Sequence, residues 1–251
     1  LITGNTAVSG GGIIFSSIGT QSILEHVTIV DNTATSNGGG VYGYAVGNET
    51  IINSIIWGNS GSSPNILVSA GLSVFYSNIG GGWPGDGNID ADPRFVDPEN
   101  DDYRLLASSL CINAGHPDST DSDGTQTDMG MYPHLNDYNG PDWYVSEDGD
   151  DLTGTGEIGN PFFSIQGGIN FAETEADIVN VEAGTYIENI TFRGHNTSVF
   201  GTGGPENTII DGYASGSVVE FSDGESNEAL LSGFTLQNGL ASLGGGIYLN
   251  N

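Results

Sequence analysis

Short runs of β-branched residues recur along the chain, separated by turns of Gly, Asn and Ser. Val27-Thr28-Ile29-Val30 and Thr50-Ile51-Ile52 have the length of strands, not helices. Ile2, Ile29 and Ile56 stand 27 residues apart, and each precedes an Asn by three positions: Asn5, Asn32 and Asn59. A period in the twenties built from strand-length runs predicts a solenoid in which each repeat is one coil of several strands. Stacking coils at about 4.8 Å places the three isoleucines in one inward ladder and the three asparagines in one turn. There each amide donates to one neighbour and accepts from the other. Gly10-Gly11-Gly12 and Gly38-Gly39-Gly40 follow the first two asparagines, and Gly244-Gly245-Gly246 follows Asn238. On that spacing Asn238 is assigned to the same ladder. The glycines supply bends with positive φ and leave no Cβ against the next coil.

Further strands are predicted at 66–68, 72–76, 178–181, 188–192, 197–200, 208–210, 218–221 and 230–236, with a turn at Ala183-Gly184-Thr185-Tyr186. One short helix is predicted over 164–172. Ser164 is its N-cap, Ile165, Ile169 and Ala172 form one apolar face, and Gly167-Gly168 limits its length.

Composition narrows the partners. The 251 residues carry 32 Asp+Glu against three Lys+Arg, with no lysine, for a formal charge of −29. Nucleic acid and anionic membrane surfaces need a basic footprint that is missing here, and no apolar run is long enough to span a bilayer. The single Cys111 lies in the apolar run Leu110-Cys111-Ile112 and reads as a buried thiol. Acidic residues are scarce before residue 80, whereas 17 of the 32 lie between Asp86 and Asp151.

That acidic stretch contains Asn88-Ile89-Asp90-Ala91-Asp92-Pro93-Arg94-Phe95, Asp102-Tyr103-Arg104-Leu105, Ser109-Leu110-Cys111-Ile112-Asn113-Ala114-Gly115 and Asp128-Met129-Gly130-Met131-Tyr132-Pro133. Together with the Asn/Gly coils, it resembles the terminal coils of the right-handed parallel β-helix family of secreted microbial proteins, of the pectate-lyase-like superfamily. Trp143-Tyr144-Val145-Ser146, Asp148-Gly149-Asp150-Asp151 and Asn160-Pro161-Phe162 resemble that family's first coil, and its members cover the open end with a helix like 164–172. The resemblance implies an all-β, right-handed parallel β-helix in two half-solenoids with one short capping helix, in inverted order. Residues 1–133 are the closing half, 134–142 a linker and 143–251 the opening half. It also implies an extracellular or cell-surface location.

Chemistry is sparse. A uronate lyase needs a cation and a strong base, and the only arginines are Arg94, Arg104 and Arg193. A hydrolase needs two facing carboxylates, and no pair on neighbouring strands stands out. Asp118, Asp121, Asp123 and Asp128, with Gly124 in the turn, have the alternation of half a calcium loop or of a solvated acidic turn. Asp148, Asp150 and Asp151, beside Glu147, form a weaker second candidate. Calcium is the cofactor expected on this reading. The expected function is structural, without catalysis, with copies assembling end to end as a filament or tandem chain. Leu1 and Ile2 form one assembly end, and Ile247 and Leu249, as inward rungs, form the other. The alternative is a carbohydrate-binding adhesin, or a degenerate polysaccharide lyase or hydrolase, with polysaccharide as partner.

Overall fold

A computed structural model of the protein describes residues 1–16, 21–44, 47–68 and 71–250. Its strands stack in parallel as β-solenoid coils, about 9 turns in all, and the described residues include one α-helix. The chain divides into two compact units, the first comprising Leu1–Leu105 and Leu110–Leu135 and the second Leu106–Ser109 and Asn136–Asn251.

In the first unit, Ile2–Thr3, Thr28–Val30, Ile55–Trp57 and Asn78–Ile79 form one parallel sheet. Its register aligns Ile2, Ile29 and Ile56 as the sequence period predicts, and adds Ile79 to the column. A second sheet stacks Ile13–Phe15, Val41–Gly43 and Ile66–Val68, and a third stacks Ile23–Glu25, Glu49–Ile52 and Leu72–Phe75. The three sheets enclose Ile29, Val41, Ile51, Ile56, Val74 and Ile79. Burying one such side chain fully contributes about 1.5–3 kcal/mol.

The coils turn at stacked left-handed corners: His26, Asn53 and Tyr76 at one, Gly4, Asp31 and Gly58 at another, and Gly10 and Gly38 at a third. At the middle of the glycine triplet, a Cβ on Gly39 would lie 2.4 Å from the carbonyl oxygens of Ser60 and Pro64 in the next coil. That approach is why glycine is needed there.

Parallel stacking ends in the acidic region. Phe95–Asp97 and Asp102–Leu105 pair antiparallel around a 3-10 turn at Pro98–Asn100. Cys111 is fully buried.

In the second unit, Asp142–Val145, Ile178–Val181, Ser198–Gly201 and Leu230–Ser232 form one parallel sheet. Gly184–Ile187, Thr208–Asp211 and Thr235–Gln237 form another, and Ile190–Thr191, Val219–Phe221 and Ile247–Leu249 a third. Two predicted elements are corrected here. The segment read as a turn at 183–186 is largely strand, because Tyr186 pairs with Ile210 as an inward rung. The single run predicted at 230–236 is two strands, broken by Gly233 at φ 85°.

The helix spans Ile165–Phe171, with the Ser164 hydroxyl accepting from the Gly167 N–H at 3.0 Å. It is buried on all sides, not on one face. Gln166 donates to Asn170, whose amide donates to the carbonyls of Ala107 and Ser109 at 2.7 and 2.8 Å. Its polar face is thus a hydrogen-bonded seam rather than a solvated one.

Candidate functional site

The asparagine ladder is continuous. Asn5 Nδ2 donates to Asn32 Oδ1 at 2.9 Å, Asn32 Nδ2 to Asn59 Oδ1 at 3.0 Å, and Asn59 Nδ2 to Asn65 Oδ1 at 3.0 Å. Asn65 then donates to the Gly80 carbonyl at 2.7 Å. Each rung is doubled by a backbone N–H: that of Asn5 donates to Asn32 Oδ1, and that of Asn32 to Asn59 Oδ1. Asn32 is fully buried.

Asn238 does not belong to this ladder. It lies in the second unit at φ 56° and donates to Asp211 Oδ2 at 2.8 Å. Its structural equivalent is Asp31 (φ 54°), which also follows a strand and turns a corner. Gly239 therefore occupies the position of Asn32, because the second unit's coil is one residue shorter before its glycine triplet.

The predicted calcium residues are used differently. Asp121 accepts from the Thr127 hydroxyl and the Asp128 N–H, both at 2.8 Å, and Asp123 accepts from the N–H and hydroxyl of Thr125. Asp128 is buried and accepts from the N–H groups of Asn113 at 2.8 Å and His134 at 2.6 Å. Asp118 is exposed. In the second group Asp150 accepts from the N–H groups of Leu152 and Thr153, which hold its carboxyl below the usual range. Asp151 accepts from the N–H groups of Phe163 and Ser164, both at 3.0 Å, and Asp148 is exposed. These carboxylates close their own loops, and among the described residues no three His, Cys, Asp or Glu side chains gather as a metal would require.

Melting with and without chelator at constant ionic strength tests the calcium reading. A tight site at a hundredfold excess over Kd contributes about 2.7 kcal/mol, so chelator should lower the melting temperature. An unchanged value would mean that these aspartates only close their loops.

Two acidic residues whose role has no local signature finish the helix cap. Glu188 accepts from the N–H groups of Ile165 and Gln166 at 2.8 and 3.1 Å, and Asp151 holds the entering strand. With Ser164 they satisfy the donors that a helix N-terminus leaves open. Two of the arginines are also engaged: Arg104 pairs with Asp102 at 2.6 Å and Arg193 donates to Asn170 at 2.7 Å, while Arg94 sits at a left-handed corner.

A concavity lies on the outer surface of the second unit, a groove of about 660 Å3 lined by Ile187, Asp211, Tyr213, Ala214, Asn238, Gly239 and Leu240. Tyr213 and Ala214 are consecutive non-glycine residues at φ 44° and 55°. That uncommon pairing turns the Tyr213 ring outward, 78% exposed, beside Ile187 and Leu240, each 67% exposed. Asp211 accepts from the Tyr213 N–H at 2.9 Å, Gln237 at 2.9 Å and Asn238 at 2.8 Å. The Tyr213 and Asn238 bonds are the main reason its carboxyl is held below the usual range. No run of glycines or repeated aromatics marks this groove in the sequence.

No protein-family model matches the chain, and no curated protein or solved structure matches it significantly. What the chain shares with the parallel β-helix family therefore rests on the motifs quoted above and on the solenoid itself.

Proposed function

We propose that the chain is a structural β-solenoid module of an extracellular or cell-surface assembly, related to the pectate-lyase-like β-helices, whose coils stack head to tail on those of further copies or of neighbouring repeats in a longer chain. One observation carries the reading: the rungs at either limit of the described coils are of the same inward apolar kind. The buried rungs Val179 and Val199, Tyr186 and Ile210, and Ile190 and Val219 are continued by three more. Those are Leu231 and Leu236, partly buried, and Ile247, 43% exposed. Leu249 likewise continues the Phe192–Phe221 stack, whose ring centroids are 4.2 Å apart, and is exposed. In the first unit Ile2, Ile13 and Leu24 are the partly buried rungs next to buried Ile29, Val41 and Ile51.

The coils of the two units are built alike: Leu24, Ile29 and Val41, with corners at His26, Asp31 and Gly38, match Leu231, Leu236 and Ile247, with corners at Gly233, Asn238 and Gly244. A second copy can therefore seat Ile2 on Leu236 and Ile13 on Ile247, with Leu24 one coil further from Leu231. This covers apolar rungs and pairs the open strand edges. The charge of −29 opposes association, and at 0.15 M salt the Debye length is about 8 Å, so assembly strengthens as salt rises.

Sedimentation velocity of the 251-residue chain at rising concentration and salt tests this. Multimers are expected, with filaments in electron micrographs. Ile2→Asp and Ile247→Asp each block one face, so each variant alone should stay small, while their mixture should stop at dimers. A chain that remains monomeric at high salt, or variants that polymerise like the parent, would overturn the proposal.

A further inference from the structure

The outer groove of the second unit shares Asn238, Gly239 and Leu240 with the coil proposed above to stack, but its chemistry is of a different kind. Its walls are apolar and aromatic: Ile187, Leu240 and the outward ring of Tyr213. Among the described lining residues, Asp211 is the one that carries a charge. Three donors already occupy its oxygens, namely the Tyr213 N–H, Gln237 Nε2 and Asn238 Nδ2. A carboxylate accepts about four hydrogen bonds, so this one offers a ligand little directional hydrogen bonding but its full negative charge.

A polyhydroxylated ligand needs several free donors and acceptors, and such a wall supplies few. An organic cation with an apolar shell needs an aromatic face, apolar contact and a nearby negative charge. The chain as a whole, at −29, also attracts cations. We infer that this groove is a binding site for a small alkylated ammonium cation, held over the Tyr213 ring with Asp211 as its counter-charge and Ile187 and Leu240 against its methyl groups. The backbone makes the site ready-formed. The left-handed pair Tyr213 and Ala214 is fixed by the Tyr213 N–H on Asp211 and by the Ala214 N–H on the Asn238 carbonyl at 2.7 Å, so the backbone that carries the ring is set before any ligand arrives.

Equilibrium dialysis of the intact chain against choline at constant ionic strength tests the proposal, because it reads bound ligand whatever the state of assembly. The control ligand is 3,3-dimethylbutan-1-ol, the neutral isostere. One saturable choline per chain is expected, with the isostere at least about tenfold weaker. Tyr213→Ala should weaken choline about tenfold, whereas Tyr213→Trp retains it. Asp211→Asn should also weaken it, although it removes one charge in a chain of −29. Tyr213→Ala leaves the net charge intact and alters an exposed side chain, so it separates site binding from general cation uptake by an acidic protein. Equal, non-saturating uptake by the parent and Tyr213→Ala would overturn the inference. So would equal affinity for the isostere, which would make the groove merely apolar, or displacement of choline by neutral saccharides, which would make it a sugar site.

Discussion

Asn32→Asp is expected to cost the first unit far more stability than Asn32→Ala, although it exchanges only an amide NH2 for an oxygen. The Asn32 amide nitrogen lies 2.9 Å from the carbonyl oxygens of Ile2 and Val30 and 3.0 Å from Asn59 Oδ1. An aspartate would bring an oxygen, and a full charge, against three acceptors in a fully buried position. Alanine removes the rung and strands its neighbours, at about 1–3 kcal/mol for a buried group left without a partner. A buried charge without a counter-charge costs on the order of 3–5 kcal/mol. Against a total stability of about 5–15 kcal/mol for a typical domain, that difference decides whether the unit is folded. Urea unfolding at pH 7 should therefore rank parent, Asn32→Ala and Asn32→Asp in that order. At pH 4 the aspartate variant should recover part of its loss, since a protonated carboxyl can donate one hydrogen bond where the carboxylate donates none. Equal midpoints for the two variants at pH 7 would show that the ladder is not a closed, directional network.

This ladder was legible because one residue type recurs at a constant step and the amide can only bridge stacked copies of itself. Ile2, Ile29 and Ile56 were legible for the same reason, and Ile79 completes their column after a shorter step of 23 residues. Asn238 shows where the pattern misleads. The glycine triplet anchored it to Asn32, whereas the backbone equates it with Asp31, because what the corner conserves is a left-handed φ and not an amide. Gly4, Asp31 and Gly58 meet that need with different side chains.

The helix start was legible from Ser164, a local cap. Glu188 and Asp151 reach the same N-terminus from 23 and 13 residues away, as no local pattern signals. The groove around Tyr213 was hidden because its positive-φ pair contains no glycine. In the acidic region the alternation of carboxylates was plain, but not their direction. Without a repeat to fix which side chains face inward, Asp128 looked like its solvated neighbours.

Asp128 should make the first unit lose stability as pH rises from about 4 to about 7. Burial pushes its carboxyl up from the ordinary 3.8 to about 7, against the pull of the N–H groups of Asn113 and His134, and the charges of Asp121 and Asp123 push the same way. Below about pH 4 the group is protonated both folded and unfolded, and its ionisation costs nothing. Between the two values the folded state holds a proton that the unfolded state has released, so stability falls by about 1.4 kcal/mol for each pH unit. Above about pH 7 both states are ionised and the loss, on the order of 4 kcal/mol, is complete. The many other carboxylates add a general repulsion with the same sign, so the parent curve alone does not isolate this group. Asp128→Asn does. The amide cannot ionise, and its NH2 meets one of the two N–H donors, so the variant should be weaker than the parent at pH 4. It lacks the descent through pH 7, so the gap between the two proteins should close or reverse by pH 8. Urea midpoints for both proteins, taken at half-unit steps from pH 4 to pH 8, give the difference curve directly. A constant difference across that range would mean that Asp128 ionises like an exposed aspartate and that its two N–H donors, rather than its burial, set its charge.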